Sequence, residues 1–142
     1  MISICPVERL YEVLPIGKRF FEYAKEKGKY NPQFILNFWG EIYQQRNGFM
    51  LIEEKANEIK GFCGVVFYQE PWTGELVASE VCLYSEGVGG GFLVANAEKI
   101  VRKCGAKIFY LQHLENGKSE RLAKFYTNIG YQLGYSRFFK EL

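Results

Sequence analysis

Tyr84-Ser85-Glu86-Gly87-Val88-Gly89-Gly90-Gly91 joins a run rich in β-formers, Leu76 to Leu83, to a run with helical spacing, Phe92 to Lys103. A glycine loop between a strand and a helix turns successive backbone N–H groups toward one point. The positive end of the helix dipole adds to them. Such a cradle holds a phosphate without any charged side chain, so the first candidate ligand is a nucleotide-like phosphate. The same glycines would also serve a plain turn.

Outward from the loop the hydrophobic period changes twice. Upstream, Phe49 to Glu54 and Ile59 to Tyr68 read as β-strands joined by a polar turn around Ala56-Asn57-Glu58, which predicts an antiparallel hairpin. Pro71-Trp72-Thr73-Gly74 is a second turn, and Leu76 to Tyr84 a third strand. Further upstream, Ile2 and Ile4 start a short strand and Val7 to Val13 makes a helical turn or two, which Pro15 should break or kink. Ile16 to Lys27 then resumes helical spacing. Asn31-Pro32 supplies a cap and a first-turn proline for a helix bearing Phe34, Ile35, Phe38 and Ile42. Downstream, Gly105 ends the helix after the loop, Lys107 to Leu114 is a strand, and Ser119 to Asn128 a helix closed by Gly130. Tyr131 to Lys140 is the expected last strand.

Bulk properties narrow the class. A chain of 142 residues is the size of one domain, so residues 1–142 are expected to form a single one, and 48% hydrophobic residues suffice for a real core. With 12 Phe and 10 Tyr, much of that core must be built from rings. A formal charge of +2, with the basic residues scattered, argues against a nucleic-acid partner. No stretch approaches the ~20 apolar residues of a membrane span, so no membrane partner is expected and a soluble, cytoplasmic protein is. Cys5, Cys63, Cys82 and Cys104 form no CxxC pair and only His113 accompanies them. The expectation is buried free thiols and no metal.

The predicted order is a mixed α/β one, and it resembles the GNAT superfamily of N-acetyltransferases, whose central sheet is largely antiparallel and flanked by helices on both faces. Gly87-Val88-Gly89-Gly90-Gly91-Phe92-Leu93 resembles the family's glycine turn and helix start. Phe125-Tyr126-Thr127-Asn128-Ile129-Gly130-Tyr131 resembles its helix-end signature, and the 39 residues from Gly87 to Tyr126 fit one intervening helix and strand. The resemblance implies acetyl-CoA as co-substrate, no metal, and transfer to a primary amine by direct attack in a ternary complex. By the same resemblance, Gly87, Val88, Gly89, Gly90 and Gly91 would hold the pyrophosphate. Backbone groups of Cys82, Leu83 and Tyr84 would pair with the pantetheine, and Ser119 would stand where the family often has Asn. Tyr126 would protonate the leaving thiolate, in preference to merely packing beneath the sheet, and Glu80 would act as base, although Glu80 could equally be an outward-facing charge. A small-molecule or peptide amine would be the partner, and a homodimer stays open.

Three positions depart from that pattern. Tyr84 replaces the usual Arg or Gln, Glu86 puts an acid beside the anion site, and Ser119 replaces Asn. Lys118, Arg121 or Lys124 could compensate. These departures carry the alternative, a catalytically inactive binding or assembly module on the same scaffold. The acceptor is expected between the first two helices and the meander, with Tyr30, Phe34, Trp39, Tyr68 and Trp72 as lining candidates and Glu70 and Glu75 as attractors of a cation. Gly117-Lys118-Ser119 imitates the end of a Walker loop, but Gln112 occupies the earlier glycine position. A dinucleotide loop is disfavoured by Phe92 and by the antiparallel meander before it.

Overall fold

The computed structural model describes residues 1–87, 89–112, 119–134, 138 and 140–142, with Ser119 described by its backbone alone. The chain divides into two compact units, Met1–Gln112 and His113–Leu142. The first holds β1 (Ile2–Ile4), a 3-10 helix (Val7–Val13), α1 (Leu14–Tyr23), α2 (Pro32–Gln44), β2 (Gly48–Lys55), β3 (Glu58–Gln69), β4 (Leu76–Ser85), α3 (Gly90–Lys103) and β5 (Ile108–Tyr110). The second holds α4 (Ser119–Asn128).

Pro15 does not break a helix; it starts one. It lies in the first turn of α1, where its missing N–H is not needed. That helix stops at Tyr23 rather than Lys27, because Lys25 enters the left-handed region at φ 52. Asn31 caps α2 as its sequence requires, its side chain accepting the Phe34 N–H at 3.0 Å.

The sheet runs β1-β2-β3-β4-β5, antiparallel except for the parallel pair β4 and β5. The β2–β3 turn places Ala56 and Asn57 at φ 53 and 63, the mirror-image turn whose twist suits a tight hairpin. Strand alternation sends successive residues of the Phe49-Met50-Leu51-Ile52 run to opposite faces. Met50 and Ile52 join Phe62, Leu10, Val13, Ile16 and Trp39 in one core. Phe49 and Leu51 join Cys63, Val65 and Ala78 against Leu93, Ala97 and Val101 of α3 in the other. The sheet is thus mixed, largely antiparallel, and covered by helices on both faces.

In the second unit, α4 ends in a Schellman cap: Gly130 stands at φ 98, its N–H reaches Thr127 O at 3.1 Å, and the Tyr131 N–H reaches Tyr126 O at 3.0 Å. Residues 131–134 follow as irregular chain, so the strand expected from Tyr131 does not begin there. The Tyr131 N–H is spent on the helix end rather than on a ladder, and the rest of that expected strand includes residues outside the described ones. The thiols also differ from expectation: Cys5 and Cys63 are buried, Cys82 is half-buried and Cys104 exposed. No helix among the described residues is long and apolar enough to cross a membrane.

Tyr43 ties three elements of the first unit together. Its phenol donates to Cys5 O at 2.7 Å and accepts the Met50 N–H at 3.1 Å, and burial pushes its pKa up to about 12. Tyr43→Phe leaves both backbone groups without that partner and should cost about 1–3 kcal/mol in urea denaturation. An unchanged midpoint would show that water replaces the phenol.

Candidate functional site

β4 has unequal neighbours. It pairs with β3 from Gln69↔Leu76 to Gly61↔Ser85, with a register shift between Gly64 and Val65 that leaves Val81 unopposed. With β5 it pairs only over Val77, Ala78 and Ser79. Beyond Ser79 the β5 side of β4, including Cys82, Leu83 and Tyr84, has no strand partner among the described residues. Glu80 is the first residue past that split and only 2% exposed. Its carboxylate accepts the Gln112 N–H at 3.0 Å. Burial pushes its pKa up to about 7, and the Gln112 bond opposes the rise.

Past Glu80 the side chains diverge. Cys82 turns to the α1–α2 face, and Leu83 packs in the α3 core. Tyr84 stacks its ring among Phe20, Tyr23 and Phe62 at 5.8, 5.6 and 6.2 Å, so the residue standing for Arg or Gln belongs to an aromatic cluster. Glu86 is neutralised by a residue far away in sequence: Arg19 of α1 grips both its oxygens at 2.7 and 3.1 Å and holds its carboxyl below the usual range. Within the loop, Ser85 Oγ accepts the N–H groups of Gly87 at 3.1 Å and Gly89 at 3.2 Å and donates to Glu53 Oε2 at 2.9 Å. Glu53, 4% exposed on β2, lies directly under Gly87, where a Cβ would overlap its carboxylate. Gly89, at φ 106 and ψ 153, takes a conformation that L-residues avoid and opens α3 with no side-chain cap; Gly90 and Gly91 form the first turn. Val88 lies outside the described residues.

Between α1, α2 and the sheet lies a cavity of about 440 Å³. Tyr30, Phe34 and Trp39 line it as expected, together with Phe20, Phe38, Phe62, Val81 and Cys82; Tyr68 and Trp72 do not. Trp72 is 93% exposed on its turn. Glu70 does not line it either, and its carboxylate accepts the Trp72 and Thr73 N–H groups and shapes that turn. Glu75 is exposed beside it. In the second unit Tyr126 is buried, its ring 6.0 Å from Phe125 and 6.1 Å from Tyr131. Arg121 and Lys124 are exposed on α4, while Lys118, His113 and the Ser119 side chain lie outside the described residues. Among the described residues no group of His, Cys, Asp and Glu could hold a metal ion.

No protein-family model matches the chain, and no curated protein does. Solved structures match over its full length. A ribosomal-protein-alanine N-acetyltransferase from Brucella melitensis biovar Abortus 2308 aligns with a TM-score of 0.77 at 15% identity, over 100% of this chain and 97% of that one. A GNAT family acetyltransferase from Staphylococcus aureus subsp. aureus USA300_TCH1516 aligns at 0.69 and 16%, covering 100% and 98%. A predicted acetyltransferase from Clostridium acetobutylicum, solved with acetyl-CoA, aligns at 0.77 and 13%, covering 99% and 95%. The chain has the GNAT fold.

Within a GNAT scaffold the loop can be tested for acetyl-CoA. The side of β4 that has no strand partner among the described residues offers main-chain groups to an extended amide chain. The amides of Gly87 and Gly89 are occupied by a neutral hydroxyl, a weaker acceptor than a phosphate oxygen, so a pyrophosphate can displace it. Of the acids nearby, Glu86 is paired with the Arg19 guanidinium, while Glu53 accepts from the neutral Ser85 hydroxyl, which does not offset a carboxylate's charge. The main-chain groups of the loop fit the group, and the Glu53 carboxylate beneath Gly87 opposes it. Sequence reasoning missed Ser85, Glu53 and Arg19; the only local signal was a serine placed to accept amides two and four residues ahead.

Two outcomes follow for this site. A carboxyl whose folded pKa is raised stabilises the fold below its ordinary value near 4.5 and loses that contribution as pH climbs through about 7. Glu80→Gln should therefore gain stability relative to the parent between pH 5 and pH 8, by about 1–3 kcal/mol, in urea melts at both values. A pH-independent difference would mean that Glu80 does not titrate in that window. Ser85→Ala frees the Gly87 and Gly89 amides and removes a donor from the buried Glu53 carboxylate, so it should change affinity for CoA in calorimetry and lower the melting temperature. Unaltered affinity would place the anion elsewhere.

Proposed function

We propose that this protein is an acetyl-CoA-dependent N-acetyltransferase acting on a primary amine. The observation that carries the reading is the split beside β4: three residues pair with β5, and the stretch Glu80–Ser85, which has no strand partner on that side among the described residues, then runs into a glycine-opened helix. In that reading Cys82, Leu83 and Tyr84 hold the pantetheine by their main chain. Gly87, Val88, Gly89, Gly90 and Gly91 hold the pyrophosphate, and Ser119 adds a polar contact. Bound there, acetyl-CoA supplies an activated acetyl thioester. Glu80, with its pKa near 7, takes the proton that the amine must lose on attack. Tyr126 Oη delivers a proton to the departing sulfur, so charge balances as the amide bond forms and the thioester bond breaks. The acceptor is a small-molecule or peptide amine.

One observation favours a second reading. Ser85 and Glu53 together close the loop on itself, as a scaffold that had given up its cofactor would. Calorimetric titration with acetyl-CoA and with CoA separates the two: micromolar binding supports the enzyme, and no binding of either supports an inactive module. With a competent acceptor, Tyr126→Phe should lower kcat about 100-fold or more with little change in cofactor affinity. Equal loss of both would give Tyr126 a structural role.

A further inference from the structure

The cavity has an unusual wall for a site that would take an amine. Among the described residues its lining includes Phe20, Phe21, Phe34, Phe38, Trp39 and Phe62 and no acidic side chain, and the exposed Lys29 is the charged member. Two polar side chains of the wall already have main-chain partners. Tyr30 Oη donates to Leu14 O at 2.6 Å, and Asn31 Oδ1 accepts the Phe34 N–H at 3.0 Å. An ammonium group placed against this wall would lose its hydration with no counter-ion in return. At the edge of the cavity Phe34 and Phe38, one helical turn apart on α2, are 63% and 38% exposed, with rings stacked at 6.4 Å. They extend the apolar lining to the surface, beside a cavity sized for a small molecule. Val81 and Cys82 complete the wall, setting the cavity against the stretch of β4 assigned above to the pantetheine.

We infer that the cavity receives the uncharged aromatic or aliphatic body of a small monoamine, so that the site selects hydrophobic primary amines and rejects polycations. The inference rests on the acetyltransferase reading for the identity of the ligand as an acceptor. Its physical content is separate: an acid-free aromatic wall binds the hydrocarbon, and Lys29 repels any second positive charge.

The test uses the full chain carrying Trp72→Phe, a change at a 93% exposed position that leaves Trp39 in the cavity wall as the only tryptophan. Phenethylamine, hexylamine and spermidine are titrated while Trp39 fluorescence is followed, and acetyl-CoA is titrated in parallel by calorimetry. Phenethylamine and hexylamine should bind at least about tenfold more tightly than spermidine. Adding Phe34→Asp at the exposed edge should remove that preference by supplying the missing acid, whereas Phe34→Ser should weaken phenethylamine without strengthening spermidine. Thermal melts confirm that each variant folds. Spermidine binding as tightly as phenethylamine, or no binding by any of the three, overturns the inference. Acetyl-CoA binding without an amine preference leaves the acetyltransferase reading standing and removes this one. Phenethylamine binding without acetyl-CoA binding keeps the cavity's selectivity and removes the transferase.

Discussion

β4 is held along its whole length by β3 and for only three residues by β5, and most of what the first unit offers to a ligand depends on that inequality. Where the parallel ladder stops, the Gln112 N–H bonds to the Glu80 carboxylate. A buried acid thereby gains a main-chain donor at the point where the strands part. Burial raises its pKa more than that single bond lowers it, which leaves a group able to exchange a proton near neutrality. Among the described residues the stretch that follows has no strand partner on that side, and its side chains alternate between the two cores.

The glycine loop is organised by a different balance. Two acids, Glu53 and Glu86, approach a segment whose amides would suit an anion, and the two meet different partners. Arg19 reaches Glu86 from α1, and Ser85 stands between Glu53 and the amides of Gly87 and Gly89. A serine hydroxyl can yield its amides to a stronger acceptor, or it can keep them, and that choice separates a working cofactor loop from a scaffold that no longer uses one.

Much of the fold was legible in the sequence because its signals are local. Asn31-Pro32 starts α2, Ala56-Asn57 turns the hairpin, Gly130 ends α4, and the Phe49–Ile52 run marks a strand buried on both faces. Local reasoning failed where a residue had two readings of similar local cost. Pro15 suits the first turn of a helix as well as it breaks one, and Tyr131 can cap α4 instead of opening a strand. For the candidate site, Glu80 and the glycines were legible as residue types in the right order. Ser85, Glu53 and Arg19 were not, because their partners come from β2, β4 and α1, and no periodicity links them.

The aromatic residues show the same division. Composition suggested a core built from rings, yet among the described residues the buried core is mainly aliphatic, with Trp39, Phe49, Phe62 and Tyr126 as its rings, and composition could not say which rings would face a void: Phe20, Phe34 and Trp39 line the cavity, whereas Trp72 sits out on a turn. By itself the sequence determined the order of elements, their caps and turns, and the glycine loop before α3, since these follow from backbone preferences acting over a few residues. Tertiary structure alone decided that β4 should part from β5 at Ser79, that Glu80 should be buried there, and that the cavity wall, among the described residues, should lack an acid. Those properties depend on which distant surfaces meet, and burial and charge pairing are set only when they do.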